Sequence, residues 1–177
     1  EKPKKFISNL LSTAFYCLDQ EIFKYIKQIK KSKRNEFELP SAVKLLSKQE
    51  KIYCVRSKRW HPIVYPLDLL KADAKLRKNK NFIGKNSKIY GKVENSSIGD
   101  NCIIKGDVEK SIIMDKTDIG RDSLVESSIV GENVYFSGRA LSAIIADNTK
   151  VRKAVIMKCN IWPNKTIINQ TITEDVT

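Results

Sequence analysis

Ser128-Ile129-Val130-Gly131-Glu132-Asn133 is the clearest copy of a pattern that recurs through the second half of the chain. Each copy has a small residue, one or two apolar residues, then Gly, Ala or Met, and in most copies an acid. The other copies begin at Ser97, Ser111, Ala143 and Ala154. The Gly, Ala or Met positions recur at similar steps, apart from a shorter last one; they are Gly99, Met114, Gly131, Ala146 and Met157. Such self-similarity indicates a repeat architecture.

Apolar residues also return every six positions, as in the pairs Ile83 and Ile89, Ile98 and Ile104, and Ile119 and Val125. A six-residue return is too short for a helix-loop-helix repeat. It suits a parallel β-helix, in which each short strand turns a corner and stacks about 4.8 Å above the previous coil. Ile and Val then fill the interior, whereas Gly, Asn and Asp occupy corners that need a positive φ or a side-chain hydrogen bond to the backbone. An antiparallel sandwich is the alternative.

The pattern resembles that of the hexapeptide-repeat family, which implies a left-handed parallel β-helix whose coils each consist of three hexapeptides. Residues 83–169 then allow about five coils, and residues 83–177 form this domain together with a C-terminal tail. Many members of the family are acyltransferases that use a His as general base. Since residues 62–177 contain no His, we expect a scaffold that assembles homo-oligomers and so protects its open strand edges.

Charge separates this half of the chain from the half that precedes it. The formal net charge is +13; residues 1–85 hold 21 basic and 8 acidic side chains, whereas residues 86–177 hold 12 of each. Two different domains, residues 1–82 and 83–177, are therefore predicted. The charge alone would suggest a nucleic-acid partner. Because the lysines are scattered over helix faces and no RNA- or DNA-binding module is recognisable, nucleic acid is not the expected partner.

The basic half contains apolar runs and helix signals. Residues 6–18 are largely apolar with aromatic side chains, which is typical of a buried strand. Asp19 stands where a helix N-cap belongs, and the apolar spacing after it predicts an amphipathic helix of about three turns. A second helix is predicted after Pro40-Ser41, a short strand over Ile52–Val55, and a third helix over residues 67–76. This order predicts the closing portion of an α/β domain.

Several short motifs follow one another in this half: Glu1-Lys2-Pro3, Ser8-Asn9, Phe15-Tyr16, Asp19-Gln20-Glu21-Ile22-Phe23, Glu36-Phe37-Glu38-Leu39, Trp60, and Pro66-Leu67-Asp68-Leu69-Leu70. Their order resembles the C-terminal third of the catalytic domain of sugar-phosphate nucleotidyltransferases, a transferase family of nucleotide-sugar biosynthesis. Glucose-1-phosphate thymidylyltransferases and mannose-1-phosphate guanylyltransferases are the members it resembles most. With the β-helix that follows, the arrangement is also similar to that of archaeal sugar nucleotidyltransferases and ADP-glucose pyrophosphorylases.

The resemblance implies that Glu1 binds sugar hydroxyls, that Lys2 contacts the sugar phosphate and serves catalysis, and that Asn9 lies on the sugar side. An ammonium near a phosphate neutralises charge that gathers in the transition state, and a carboxylate accepts hydrogen bonds from neighbouring hydroxyls. It also implies Mg²⁺ as cofactor, with a sugar 1-phosphate and a nucleoside triphosphate as substrates. Because the sequence begins at Glu1 without Met, we expect a fragment of a longer enzyme that is not active alone.

One position departs from the family's pattern. The family has Trp-x-Asp, in which the Asp helps to hold Mg²⁺, and this chain has Pro62 at that place. Proline offers no carboxylate, and Mg²⁺ takes hard oxygen ligands, so no metal ligand is assigned here and His61 is a poor substitute. Three alternatives stay open: a weak or inactive transferase, an enzyme that recruits its metal differently, and a non-catalytic regulatory or structural subunit of the same architecture.

The remaining features concern the compartment. No window has the run of roughly 18 to 20 apolar residues that a membrane span needs. The four cysteines stand far apart in the sequence, without the close spacing of a structural zinc site. They are predicted to be buried thiols in a reducing compartment. We therefore expect a cytoplasmic protein with no membrane partner.

Overall fold

The computed structural model describes residue 6 and residues 8–58 and 60–177. It divides into two compact units, Glu1–Trp60 and His61–Thr177. The helices are α1 (Ile22–Ile26) and α2 (Leu39–Leu46) in the first unit and α3 (Asp68–Leu76) in the second. No described helix is long and apolar enough to cross a membrane.

All the strands of the described residues lie in the second unit. In chain order they are β1 (Phe82–Ile83), β2 (Lys88–Ile89), β3 (Val93–Glu94), β4 (Ser97–Ile98), β5 (Ile103–Ile104), β6 (Asp107–Glu109), β7 (Ile112–Ile113), β8 (Asp118–Ile119), β9 (Leu124–Glu126), β10 (Ile129–Val130), β11 (Tyr135–Leu141), β12 (Ile144–Ile145), β13 (Lys150–Met157), β14 (Asn160–Ile161), β15 (Thr166–Ile168) and β16 (Thr171–Ile172).

The first unit has a small core between its two helices. α1 packs against α2, and the buried side chains are Ile22, Ala42 and Leu46. α1 is shorter than the predicted three turns, and α2 begins at Leu39, one residue before Pro40. The Asp19 carboxylate accepts a hydrogen bond from the backbone N–H of Glu21 (3.0 Å) in the turn before α1, but Glu21, and not the predicted Asp19, stands at the N-cap position of this helix.

Two predicted strands of this unit are wrong. The described part of residues 6–18 is irregular, with the Phe15 side chain 88% exposed, and residues 52–55 are irregular as well. A strand needs a neighbour to pair its backbone N–H and C=O groups, and no described residue of the first unit supplies one. The residues are apolar, as the sequence indicates, but the described part of the first unit contains no sheet for them to join.

The second unit is a parallel β-helix, which confirms the predicted fold class. Every strand pairing in it is parallel, and the strands stack in three columns. Face A consists of β1, β4, β7, β10, β12 and β14; face B of β2, β5, β8, the first halves of β11 and β13, and β15; face C of β3, β6, β9, the second halves of β11 and β13, and β16.

The coils are shorter than expected. On face A, register partners begin at Phe82, Ser97, Ile112, Ile129, Ile144 and Asn160, so that no coil reaches the length of three full hexapeptides. The structure therefore has six coils where about five were predicted. In the fourth coil, β11 runs around the corner from face B to face C with a register shift between Phe136 and Gly138.

Branched side chains fill the interior, as predicted. The inward residues of face A after β1 are Ile98, Ile113, Val130, Ile145 and Ile161, all 0–1% exposed. Their neighbours in sequence point outward because successive strand residues alternate in direction. Stacked Ile and Val side chains fit a narrow prism because few rotamers are open to them in a strand.

Corner residues have the two roles that the sequence predicted for them. Asn101, Asn133 and Asn148 adopt positive φ between 56 and 58°. The carboxylates of Asp115 and Asp147 accept hydrogen bonds from the backbone N–H groups of Asp100 and Glu132 on the preceding coils, at 2.8 and 2.7 Å. The acids that recur in the pattern thus join one coil to the next.

One of the five sequence copies lies on a different face from the others. Ala154–Met157 pairs with residues 138–141 on face C, and not with the other four copies on face A. Asn160-Ile161 instead continues the face A column, because β12 pairs with β14. The last step between the aligned copies is short because Met157 belongs to face C, whereas the earlier aligned positions belong to face A. The sequence does not distinguish the two faces, since a small residue before apolar ones suits either.

Helix α3, predicted over residues 67–76, forms and is tied to the first coils. The Arg77 guanidinium pairs with Asp73 (2.7 Å) and donates to the carbonyl of Asn95 (3.1 Å). The Ser97 hydroxyl lies 2.6 Å from the Asp73 carboxylate. The second compact unit therefore begins before the predicted domain boundary near residue 82 and includes this helix.

Candidate functional site

The residues predicted to bind the sugar phosphate lie at the start of the chain. Glu1 and Lys2 fall outside the described residues. Asn9 is described; it lies at a bend and is exposed. The roles of the three residues therefore stay a prediction.

Around Pro62 the chain forms an irregular exposed segment before α3. The nearest following carboxylate, that of Asp68, accepts hydrogen bonds from the backbone N–H groups of Tyr65 (3.0 Å) and Val64 (3.1 Å). These two hydrogen bonds hold the pKa of Asp68 below its usual value, with a smaller contribution from Lys71. Asp68 thus closes the turn that starts α3.

His61 does not compensate for Pro62. Its Nε2 atom contacts the Nζ atom of Lys75 on α3. A neighbouring ammonium opposes the approach of a second cation by like-charge repulsion. The described residues also contain no cluster of three His, Cys, Asp or Glu side chains that fits a metal ion.

The cysteines divide between the two units. Cys17 and Cys54 are exposed, and Cys102 and Cys159 are buried in the β-helix. Burial raises the pKa of both β-helix thiols. The prediction of buried thiols therefore holds for two of the four.

The outer side of face A exposes several large apolar side chains. Phe82 and Trp162 are each 55% exposed and Met114 is 40% exposed. The outward Ile112 and Ile144 of the same face are partly buried, and the polar Ser97 and Asn160 stand in the same outward column. Exposed apolar side chains on a sheet face are candidates for contact with a partner.

Sequence reasoning missed a basic groove on face B. The groove has a volume of about 630 Å³ and is lined by Lys88, Tyr90, Ile103, Lys105, Arg121 and Asp122. Its signal was present in the sequence, because the step from Met114 to Gly131 is longer than the other steps between aligned copies. The extra residues of that coil form one wall of the groove.

Two families match this chain. Residues 73–177 match the family described as GMPPB C-terminal domain, and residues 1–79 match the family described as Nucleotidyl transferase. The two matched segments meet in α3 and together span the chain.

Curated relatives agree with these matches. The chain is 38% identical over 110 residues to "Bifunctional protein GlmU" of Methanococcus maripaludis, covering 59% of this chain and 25% of that protein. It is 36% identical over 107 residues to the protein of the same name from Methanocaldococcus jannaschii (59% and 24%). A "Bifunctional sugar-1-phosphate nucleotidylyltransferase/acetyltransferase" of Sulfurisphaera tokodaii is 31% identical over 100 residues (52% and 25%). The chain spans about a quarter of the length of these relatives.

Proposed function

The chain belongs to the GMPPB C-terminal domain family, and from this premise we propose that it is the C-terminal part of a sugar-1-phosphate nucleotidyltransferase. The reaction joins a sugar 1-phosphate to a nucleoside triphosphate, forming a nucleoside diphosphate sugar and pyrophosphate. The observation that carries the proposal is the direct succession of a nucleotidyl transferase match and a C-terminal-domain match in one chain. We also propose the cytoplasm as its compartment.

The surface of the first unit supports this proposal. Large apolar side chains stay exposed there, among them Phe15 (88%) and Val55 (94%). Such exposure suits a segment that packs against the rest of a nucleotidyltransferase domain, because water-exposed apolar surface of this extent is unfavourable in an isolated domain. The low share of its relatives that the chain covers fits the same interpretation.

The roles proposed for the first residues follow from their chemistry. The Lys2 ammonium would neutralise the sugar phosphate as it attacks the nucleotide, and the Glu1 carboxylate would accept hydrogen bonds from sugar hydroxyls. Asn9 would add a donor and an acceptor on the sugar side. The products would be released as a nucleotide sugar and pyrophosphate.

Magnesium, which the resemblance implies, does not fit the described residues. Pro62 has no oxygen ligand in its side chain, and the Asp68 carboxylate is already bonded to two backbone N–H groups. Mg²⁺ needs several oxygen ligands in octahedral geometry. We therefore assign no step of the reaction to a metal held by this part of the chain.

The test uses the full-length protein that contains this chain. It is incubated with each nucleoside triphosphate, a panel of sugar 1-phosphates and Mg²⁺, and pyrophosphate release is measured. We expect release with one preferred pair, and a loss of about 100-fold in kcat for Lys2→Gln, since removing one charge-stabilising donor costs this order of rate. Lys33→Gln, which removes an exposed lysine elsewhere in the first unit, is the matched control. Release of pyrophosphate with no pair would overturn the enzymatic proposal.

A second candidate function is a non-catalytic regulatory or structural subunit of the same architecture. Pro62 favours it, because the family's metal-binding carboxylate is absent at that position. Pro62→Asp in the full-length protein separates the two. A large gain in pyrophosphate release would indicate a decayed catalytic site, whereas an inactive variant that still binds an active relative would favour the subunit.

We also propose that the β-helix serves homo-oligomerisation. The supporting observation is that Met114 and Trp162 are exposed on the outer side of face A. Light scattering coupled to gel filtration should give the full-length protein that contains this chain a mass above that of one subunit. Trp162→Glu should reduce the mass, whereas Lys150→Glu on face B should not. A monomeric wild-type chain would contradict the proposal.

A further inference from the structure

The basic groove on face B arises where one coil is longer than its neighbours. In the second coil the inward residues of faces B and C, Ile104 and Val108, are four positions apart, and in the fourth coil Phe136 and Ala140 have the same spacing. In the third coil the corresponding residues, Ile119 and Val125, are six positions apart. The additional residues are Arg121 and Asp122, both exposed, and Asp122 has φ of 59°. They project from a corner that is otherwise tight.

The neighbouring coils continue in register beside this projection. The backbone N–H of Tyr90 donates to the carbonyl of Ile104 (2.7 Å), and that of Lys105 donates to the carbonyl of Ile119 (2.8 Å). Tyr90 and Lys105 therefore stand one above the other next to the projecting residues. Lys88 and Ile103 are stacked in the same way on face B. The stacked strands of face B form the floor of the groove, and the projecting Arg121 and Asp122 form its wall.

Charges in the groove are only partly neutralised. Lys105 lies 3.7 Å from the Asp118 carboxylate on the next coil. Within the described part of the chain, Lys88 and Arg121 have no ion-pair partner closer than 4.0 Å, and neither has Asp122. The Arg121 guanidinium suits a phosphate because its planar set of donors matches two phosphate oxygens.

The other lining groups suit a hydroxylated ring. Tyr90 is 69% exposed and offers an aromatic face, with Ile103 as apolar floor. The Asp122 carboxylate can accept hydrogen bonds from two neighbouring hydroxyls. A volume of about 630 Å³ lies within the range of small-molecule sites in proteins.

We propose that this groove binds the phosphate ester of a polyhydroxylated ring, with Lys88 and Arg121 on the phosphate, Asp122 on ring hydroxyls and Tyr90 against the ring. Two sources share this chemistry, a sugar phosphate and the ribose phosphate of a nucleotide. The groove lies wholly in the β-helix and does not depend on the transfer reaction proposed for the protein. Its test is therefore a binding measurement that needs no turnover.

The experiment titrates the whole chain by calorimetry with glucose 6-phosphate, adenosine 5′-monophosphate and inorganic phosphate. We expect one of the two ring phosphates to bind at least about tenfold more tightly than inorganic phosphate. Arg121→Gln should weaken that binding by about tenfold or more, because it removes charged hydrogen bonds to the phosphate. Which ring phosphate binds more tightly distinguishes the two sources.

Two further variants make the result specific. Asp122→Asn should weaken the ring phosphates but not inorganic phosphate, because only the former carry ring hydroxyls. Lys150→Gln, an exposed lysine of face B outside the groove, should change nothing. Circular dichroism should show an unchanged fold in each variant, since these side chains are exposed. Binding of none of the three probes, or equal loss from Arg121→Gln and Lys150→Gln, would overturn the proposal.

Discussion

The two units of this chain solve the burial of apolar residues in different ways. In the β-helix, strands that are mostly two or three residues long enclose a continuous core, because each coil supplies hydrogen-bond partners and apolar contacts to the next. In the first unit, the described core is limited to Ile22, Ala42 and Leu46, while residues such as Phe15 stay exposed. Within the described residues, the repeated pattern builds a closed core from local segments alone, whereas most apolar residues of the first unit stay exposed.

Thiol reactivity should show the largest difference between the units. We expect Cys17 and Cys54 to react at once with a chromogenic disulfide reagent in the native chain. Cys102 and Cys159 should react only when their coils open, because burial blocks the reagent and raises the pKa of each thiol. Absorbance with and without denaturant counts the thiols, and mass spectrometry assigns them. Rapid native labelling of Cys102 would contradict a closed core.

Removing a fully buried branched side chain should have the next largest effect. Ile104→Ala leaves a cavity at a residue that is 0% exposed, and it should lower the free energy of unfolding by about 2–5 kcal/mol. Ile89→Ala is the matched control, since Ile89 stands one coil earlier in the same column and is 36% exposed. Urea denaturation measures both. Equal losses of unfolding free energy in the two variants would contradict the prediction, because they would mean that Ile89 in the end coil is as well buried as Ile104.

Substitution of a glycine at the corner of β11 should have the next largest effect on the free energy of unfolding. Gly138 has φ of 133°, and an added Cβ would lie 2.0 Å from the carbonyl oxygen of Ala154. Gly138→Ala should therefore lower the free energy of unfolding by more than about 1 kcal/mol. Gly120→Ala is the comparison, because an added Cβ there meets its nearest atom at 3.2 Å. Thermal unfolding of the two variants should differ clearly; matching transition temperatures would show that the corner can relax.

The smallest predicted effect is a pH dependence of the last coil. Asp175 accepts hydrogen bonds from the side-chain amide (3.0 Å) and backbone N–H (2.7 Å) of Asn160, which hold the pKa of Asp175 below its usual 3.8. A lowered pKa in the folded state stabilises the fold above the usual pKa, and this contribution is lost as the pH falls through the lowered value. The backbone amides of residues 160–177 should therefore lose protection from hydrogen exchange in acid. The protection is calculated after the measured rates are corrected for the pD dependence of intrinsic exchange.

Asp175→Asn provides the control for this dependence. An amide cannot ionise, so the variant should show weak protection that changes little between pH 6 and pH 3. Wild-type protection that is constant over the same range would contradict the assigned role of Asp175.

Much of the β-helix could be predicted because its determinants are local. Inward Ile and Val and corner Asn and Asp recur in the sequence and have the predicted roles. The face to which a copy belongs could not be predicted in every case, since Ala154–Met157 looks like a face A copy but pairs on face C. The segment around Ile161, which does lie on face A, does not match the repeat pattern for two reasons. Asn160 stands at an outward position that is apolar in most copies, and Trp162 stands where the pattern has Gly, Ala or Met.

The sites were less predictable than the fold. The basic groove depends on which side chains of three successive coils stand side by side, and this follows from register rather than from any contiguous motif. The apolar run over residues 6–18 gave the opposite error, because a strand exists only when another strand pairs with it. The apolar character of that run is plain in the sequence, but the lack of a partner strand is not.

The long coil has a consequence for engineering. Arg121 and Asp122 are accommodated at the corner while the register is kept on both sides, from Ile104 to Ile119 before them and from Val108 to Val125 after them. The stack therefore tolerates extra length at this point without passing the disturbance to other layers. A foreign peptide inserted between Arg121 and Asp122 would project from the third coil of the β-helix, which makes this corner a position for grafting epitopes or affinity tags.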